Sequence, residues 1–213
     1  MRKTWYGITF AAVLVTLLLN VISSRRPDWL VVRYPEVLHT KITVQFGLNQ
    51  RCERTITEIP GGNGKITYRD YECRDFPKSV TDHCEDENSQ FCAAWTSAGY
   101  LDFIAIGFAV ISLVTIIFGV STHSRRRRIW RAVAGLVLFQ SLLQIVTFGI
   151  ITDMYQSSRY PSFDQARPGV GYVLNILAWI LGLLIATAVI TTGILADKGH
   201  RWAAGSRAYL PIV

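Results

Sequence analysis

Residues 100–120 read YLDFIAIGFAVISLVTIIFGV, an almost wholly apolar run carrying a single charge at Asp102. A helix rises about 1.5 Å per residue and a bilayer's hydrocarbon core is about 30 Å thick, so a run of this kind is what a crossing needs. Three further runs meet the same requirement, and the spans are read as residues 5–22, 98–121, 131–152 and 171–196. They leave a first loop over 23–97, a second over 122–130, a third over 153–170 and a tail over 197–213. The expected fold class is a membrane all-α four-helix bundle. Only the first loop is long enough to fold as a small domain of its own.

That first loop holds every cysteine of the chain: Cys52, Cys73, Cys84 and Cys92. An even set confined to one segment predicts two disulfides, which persist where the compartment is oxidising, so the loop is expected outside the cytosol. Charge placement points the same way. The net charge of +7 comes largely from Arg2, Lys3, Arg125, Arg126, Arg127, Arg128, Arg131, Lys198, Arg201 and Arg207, all on the opposite side of the spans from the cysteines. By the positive-inside rule that side is cytosolic, with both termini on it. A membrane-bound distribution of this kind argues against nucleic acid as a partner. The first run is longer than a signal-peptide core, and the residues before Ser24 form no Ala-x-Ala-like cleavage site, so it is read as a retained anchor.

Within the first loop, Trp29–Tyr34, Lys41–Phe46, Thr55–Ile59 and Lys65–Tyr71 are rich in β-branched and aromatic residues and predict strands. The cluster Pro60–Gly64 between the last two supplies the positive φ angles of a turn. Cys52 and Cys73 lie equally far from its centre, between Gly62 and Asn63, so an in-register hairpin sets them opposite one another and predicts a cross-strand disulfide. In the chain-entropy model a loop of that length stabilises by about 3 kcal/mol. Cys84 and Cys92 are left to close the acidic turn over 82–87, which is expected to be solvated.

Four spans, a long first loop, a short last one, and Trp29 followed by Gly47-Leu48, Cys52 and Cys73 together resemble the claudin, peripheral-myelin-protein and calcium-channel-gamma superfamily, whose signature is Trp, Gly-Leu-Trp, Cys, Cys. Asn49 stands where the second Trp of that signature belongs, and the segment between Cys52 and Cys73 is longer than in typical claudins. These departures point away from tight-junction sealing. They are similar instead to the fungal claudin-like proteins of the PalI and eisosome types, a group to which Tyr71–Pro77 and Phe91–Trp95 also bear some likeness. The resemblance implies a small disulfide-linked extracellular sheet and a contact surface around Trp29, Phe46, Gly47 and Leu48. Other four-span families fit less well: tetraspanins carry their cysteines between the last two helices, connexin-like channels in both outer loops, and thiol oxidoreductases need a Cys-x-x-Cys pair.

The titratable groups predict no catalytic residue, metal site or cofactor. His39, His83, His123 and His200 are scattered on both predicted sides without ligand spacing, and the carboxylates Asp82, Glu85, Asp86 and Glu87 lack the order and glycine of a calcium loop. Polar groups inside spans are functional candidates by default. Asp102 is expected near the headgroups, in reach of water or an arginine of the first loop. Gln140 and Gln144 are one turn apart, placed to bond Asn175 or Asn20 on neighbouring helices, and Ala105 with Ala109 and Gly182 with Ala186 permit close helix approach. The cluster Arg125–Arg128 with Arg131 is read as a topology signal that also contacts acidic membrane lipid. The C-terminal Tyr209–Val213 is a minor candidate for capture by a strand-adding domain. The expected function is that of a non-enzymatic plasma-membrane protein that organises membrane domains or cell-surface contacts through its first loop, its partner being itself or another membrane protein. The alternative is an auxiliary subunit for a channel, transporter or sensor.

Overall fold

A computed structural model describes the chain over residues 3–61, 64–85, 87–121, 126–157 and 160–200. The turn residues Gly62 and Asn63, Asp86, Arg2, Arg125 and the tail from Arg201, with Arg207 and Tyr209–Val213, lie outside the described residues. Among the described residues four helices are long and apolar enough to cross a membrane: α1 (Lys3–Arg25), α2 (Ser89–Ser121), α3 (Arg126–Gln156) and α4 (Val170–Asp197). The strands are β1 (Leu30–Arg33), β2 (Thr40–Phe46), β3 (Gln50–Gly61), β4 (Gly64–Asp75) and β5 (Ala166–Pro168), with a 3-10 turn at Pro161–Phe163.

Helices α2 and α3 exceed the expected spans. At 33 residues α2 is about 50 Å long, well over a hydrocarbon core of about 30 Å. It starts at Ser89 rather than near 98, because Phe91 and Trp95 already follow the helical spacing that brings i and i+4 to one face. The second loop correspondingly shrinks, since α3 opens at Arg126. The five strands form one antiparallel sheet in the order β4-β3-β2-β1-β5. Strand β5 comes from the third loop, whereas the strands expected from the sequence all lie in the first. Its three residues are too few to show a period and become a strand only by pairing Ala166 with Val32 and Pro168 with Leu30. A proline is tolerated there because the strand is an edge.

The chain divides into two compact units. One comprises Met1–Val21, Phe103–Ile145 and Leu177–Val213. Its core mixes Val13, Ile116, Val137, Ala186 and Val189 with fully buried Asn20, Ser112, Gln140, Ser141 and Gln144, while Leu18, Phe118 and Leu184 are exposed. Polar inside and apolar outside inverts the soluble pattern, as expected where lipid tails, not water, surround the helices. Buried hydroxyls are satisfied by their own helices: Ser112 donates to the Phe108 carbonyl, Ser141 to Val137 and Thr192 to Ala188. Helices α2 and α3 meet edge-to-face at Phe108 and Phe139, 4.9 Å between centroids. Helices α3 and α4 are in close contact where a side chain on Gly182 would collide with the Ser141 hydroxyl. Ala105 and Ala109 are also fully buried.

The other unit comprises Ile22–Asp102 and Val146–Ile176 and holds the whole sheet. Its core is Leu30, Val32, Val44 and Phe46 from the sheet, Phe91, Trp95 and Ala98 from α2, Ile151 and Met154 from α3, and Tyr160, Phe163 and Tyr172.

Because Gly182 has no room for a branched side chain, Gly182→Val is expected to lower stability by about 1–3 kcal/mol, an overpacking cost. Thermal unfolding of the purified protein in detergent measures it, and an unchanged transition would show that the α3–α4 approach is not tight.

Candidate interaction surface

Trp29 organises the base of the sheet. Its backbone N–H donates to the Phe46 carbonyl at 3.0 Å, its carbonyl accepts from Gly169 N–H at 2.8 Å, and its indole N–H donates to the Ser23 carbonyl at 2.8 Å. The Ser23 hydroxyl in turn donates to the Gly171 carbonyl at 2.7 Å. Gly47 is equally confined, since a Cβ there would lie 2.8 Å from the Arg26 carbonyl oxygen and 2.9 Å from Pro27 Cα. Trp95 closes the other side, its indole N–H shared between the Gly47 and Leu48 carbonyls, each at 3.2 Å. Trp29, Phe46 and Leu48 are all at or below 1% exposure. These residues therefore build the interior of the sheet, which corrects the expectation that they form a contact surface: bulky apolar side chains flanked by satisfied backbone groups are held inside.

Next to them Phe46, Phe76, Phe91, Trp95, Tyr160 and Phe163 pack as one aromatic cluster, mostly edge-to-face, with Phe91 stacked on Tyr160 at 4.7 Å. Each such pair contributes about 0.5–1.5 kcal/mol beyond burial. Asp82 caps this cluster. Its carboxylate accepts both Arg74 guanidinium nitrogens at 2.6 and 2.8 Å, the Lys78 N–H at 2.8 Å and the Tyr160 hydroxyl at 3.0 Å. It is buried, a correction to the solvated turn expected from the acidic run. Burial pushes its carboxyl pKa up, but Arg74, the Lys78 N–H and Tyr160 outweigh that and hold it below the usual carboxylate range. Tyr160, buried and facing the Asp82 charge, is pushed up to about 12. Neither Arg74, eight residues before Asp82, nor Tyr160, 78 residues after it, belongs to a motif that would mark it in the sequence as a partner of that carboxylate.

Both disulfides join the expected partners, Cys52 with Cys73 and Cys84 with Cys92. Cys52 faces Cys73 in the register of β3 and β4, as the hairpin symmetry requires. Cys92 sits in the first turn of α2, so the second bridge ties the loop after β4 to that helix.

Beyond the disulfide the hairpin leaves the core. Residues Thr67–Cys73 are exposed without interruption, and since strand side chains alternate between faces, both faces of β4 are open there. Tyr68 and Tyr71 are 63% and 57% exposed. On one face Arg51, Glu53, Thr55, Asp70, Glu72 and Arg74 line a trough of about 240 Å³.

The intramembrane polar candidates fall in the two units separately. Gln140 and Gln144 are buried in the first, Asn175 and Asp102 in the second. Asp102 is fully buried, so of its two expected contacts, headgroup water and an arginine of the first loop, water is not the one it makes. Arg126, Arg127 and Arg128 open α3, and Arg131, largely exposed, lies over the Trp130 ring at 5.4 Å and 3.7 Å from Asp197. Among the described residues no three metal-ligand side chains converge. Compared with known proteins, the chain matches no family model and no curated sequence.

Asp82→Asn is expected to destabilise the sheet-bearing unit by about 3 kcal/mol, since it removes the charge that the Arg74 guanidinium faces. The sign of the pH effect follows from the depressed carboxyl. Its stabilising contribution is full above the ordinary value of 3.8 and is lost as pH falls through the lower folded value. Thermal unfolding as a function of pH checks this: the wild-type acid limb is expected to flatten in Asp82→Asn, and identical acid limbs would remove Asp82 as its cause.

Proposed function

We propose that this chain is a non-enzymatic, claudin-like integral membrane protein that organises membrane domains or surface contacts by presenting the β3–β4 hairpin to a second protein molecule. The observation that carries the reading is the hairpin itself. It is rooted by a disulfide and a packed aromatic base, yet its residues Thr67–Cys73 are exposed. A rigid projection loses little conformational entropy on association, which is what a binding element requires. Its polar and tyrosine-rich surface suits a protein contact, tyrosine supplying large rigid area with a hydrogen-bonding tip.

Orientation follows from two physical rules. Disulfides persist outside the reducing cytosol, and arginine clusters beside spans remain on the cytosolic side. Together they put the sheet outside and Arg125–Arg128 and Arg131 inside, with both termini cytosolic, where the arginines meet acidic lipid at about 1 kcal/mol each. A disulfide-braced outer sheet on a multi-pass anchor fits the plasma membrane. The order of Trp29, Gly47-Leu48, Cys52 and Cys73, with the long first and short last loops, supports the claudin-like resemblance.

Replacing Cys52 and Cys73 together with serine is expected to cost about 2–4 kcal/mol and to reduce surface expression or association, while leaving the number of crossings unchanged. Non-reducing purification in mild detergent reads both. Assemblies made mainly of this chain support the organiser role; a fixed stoichiometric channel, transporter or sensor would replace it with an auxiliary-subunit role. Wild-type behaviour of the double variant would take the hairpin out of the function.

A further inference from the structure

The two faces of the sheet carry opposite charge. On the trough face the register sets Arg51 opposite Arg74, Glu53 opposite Glu72 and Thr55 opposite Asp70. Arg74 is neutralised by Asp82, and Arg51 leans on Glu53 at 3.7 Å. Asp70 and Glu72 have no ion-pair partner among the described residues, so the trough is acidic in balance. Like charges directly opposite one another, as Glu53 and Glu72 are, disfavour the isolated hairpin and are relieved by a cation placed between them.

The other face is basic. One row across the strands reads Arg33, Thr43, Arg54, Tyr71, and the next reads Lys41, Ile56, Arg69. All four cations are exposed. Lys41 is paired with Glu36 at 3.3 Å, whereas Arg33, Arg54 and Arg69 have no ion-pair partner among the described residues. Glu58 lies on the same face, further toward the turn.

The spacings of the two faces agree. Arg54 and Arg69 are diagonal neighbours across β3 and β4, about 7–8 Å apart. Asp70 and Glu72 are two residues apart on one strand and so separated by about 7 Å. We infer that the acidic trough of one copy receives Arg54 and Arg69 of a second copy of this chain. This rests on the self-association side of the function proposed above and names its contact. Because the two surfaces differ, the contact is heterologous, of the kind that builds rings or open rows instead of closing as a pair.

Charge exchange in the full-length protein tests it. Glu72→Arg and Arg69→Glu, both at exposed positions, are each expected to weaken self-association about tenfold, the effect of about 1.4 kcal/mol at an interface. The two changes in one chain are expected to restore it, since the reversed trough then meets a reversed face. Asp70→Arg with Arg54→Glu provides a second, independent pair. Cross-linking and size-exclusion in mild detergent read the assembly, and the intact Cys52–Cys73 bridge reports that each variant is folded. Single variants that associate like wild type, or double variants that fail to recover, overturn the inference while leaving self-association standing. Loss of a different co-purifying protein from Glu72→Arg, with self-association unchanged, also overturns it by assigning the trough to that protein. A wild-type chain that stays monomeric would overturn the self-association reading as well.

Discussion

The seating of Trp29 is the constraint on which the sheet-bearing unit depends. One residue bonds through its N–H to β2, through its carbonyl to the residue that follows β5, and through its indole to the end of α1. A fully buried tryptophan contributes several kcal/mol by burial alone, and here the same side chain also leaves no polar group unsatisfied. With this point fixed, β1 has β2 on one side and β5 on the other, and the order of the whole sheet follows.

From that base, stability is layered by chemistry. Aromatic rings from the sheet, the start of α2 and the connection after α3 fill the interior, and Asp82 draws Arg74, Lys78 and Tyr160 together at its edge. A carboxylate is tolerable in so buried a place only because every direction of approach to it holds a donor. The disulfide between Cys52 and Cys73 then marks where packing stops. Past it β3 keeps its ladder with β2 as far as Thr57, while β4 has a neighbour on one side only and its side chains, exposed from Thr67 to Cys73, are free to carry charge. The helical unit of Met1–Val21, Phe103–Ile145 and Leu177–Val213 solves a different problem: amides and hydroxyls turn inward because lipid offers them no partner.

Much of this was legible in the residues. Apolar run length gives the helices, since a bilayer demands a minimum length irrespective of neighbours. The disulfide pairing follows from a local rule, a hairpin symmetric about its glycine turn, and the β-branched and aromatic content of Lys65–Tyr71 marks a strand. Strand β5, in contrast, has no period to read. The extension of α2 back to Ser89 hides behind polar residues, although Phe91 and Trp95 at i and i+4 are its signal. Asp82 looked like one carboxylate of a solvated run because nothing adjacent in sequence announces Arg74 or Tyr160.

The sequence by itself determined the four spans, the location of the β-structure and the pairing of its cysteines, because hydropathy, turn chemistry and loop symmetry act over short distances along the chain. Only the tertiary structure decided that Trp29, Phe46 and Leu48 are interior, that Asp82 is a buried hub, and that Arg54 and Arg69 share one face while Asp70 and Glu72 share the other. Those outcomes depend on strand register and on which element covers which face, quantities that exist only once residues distant in sequence have met.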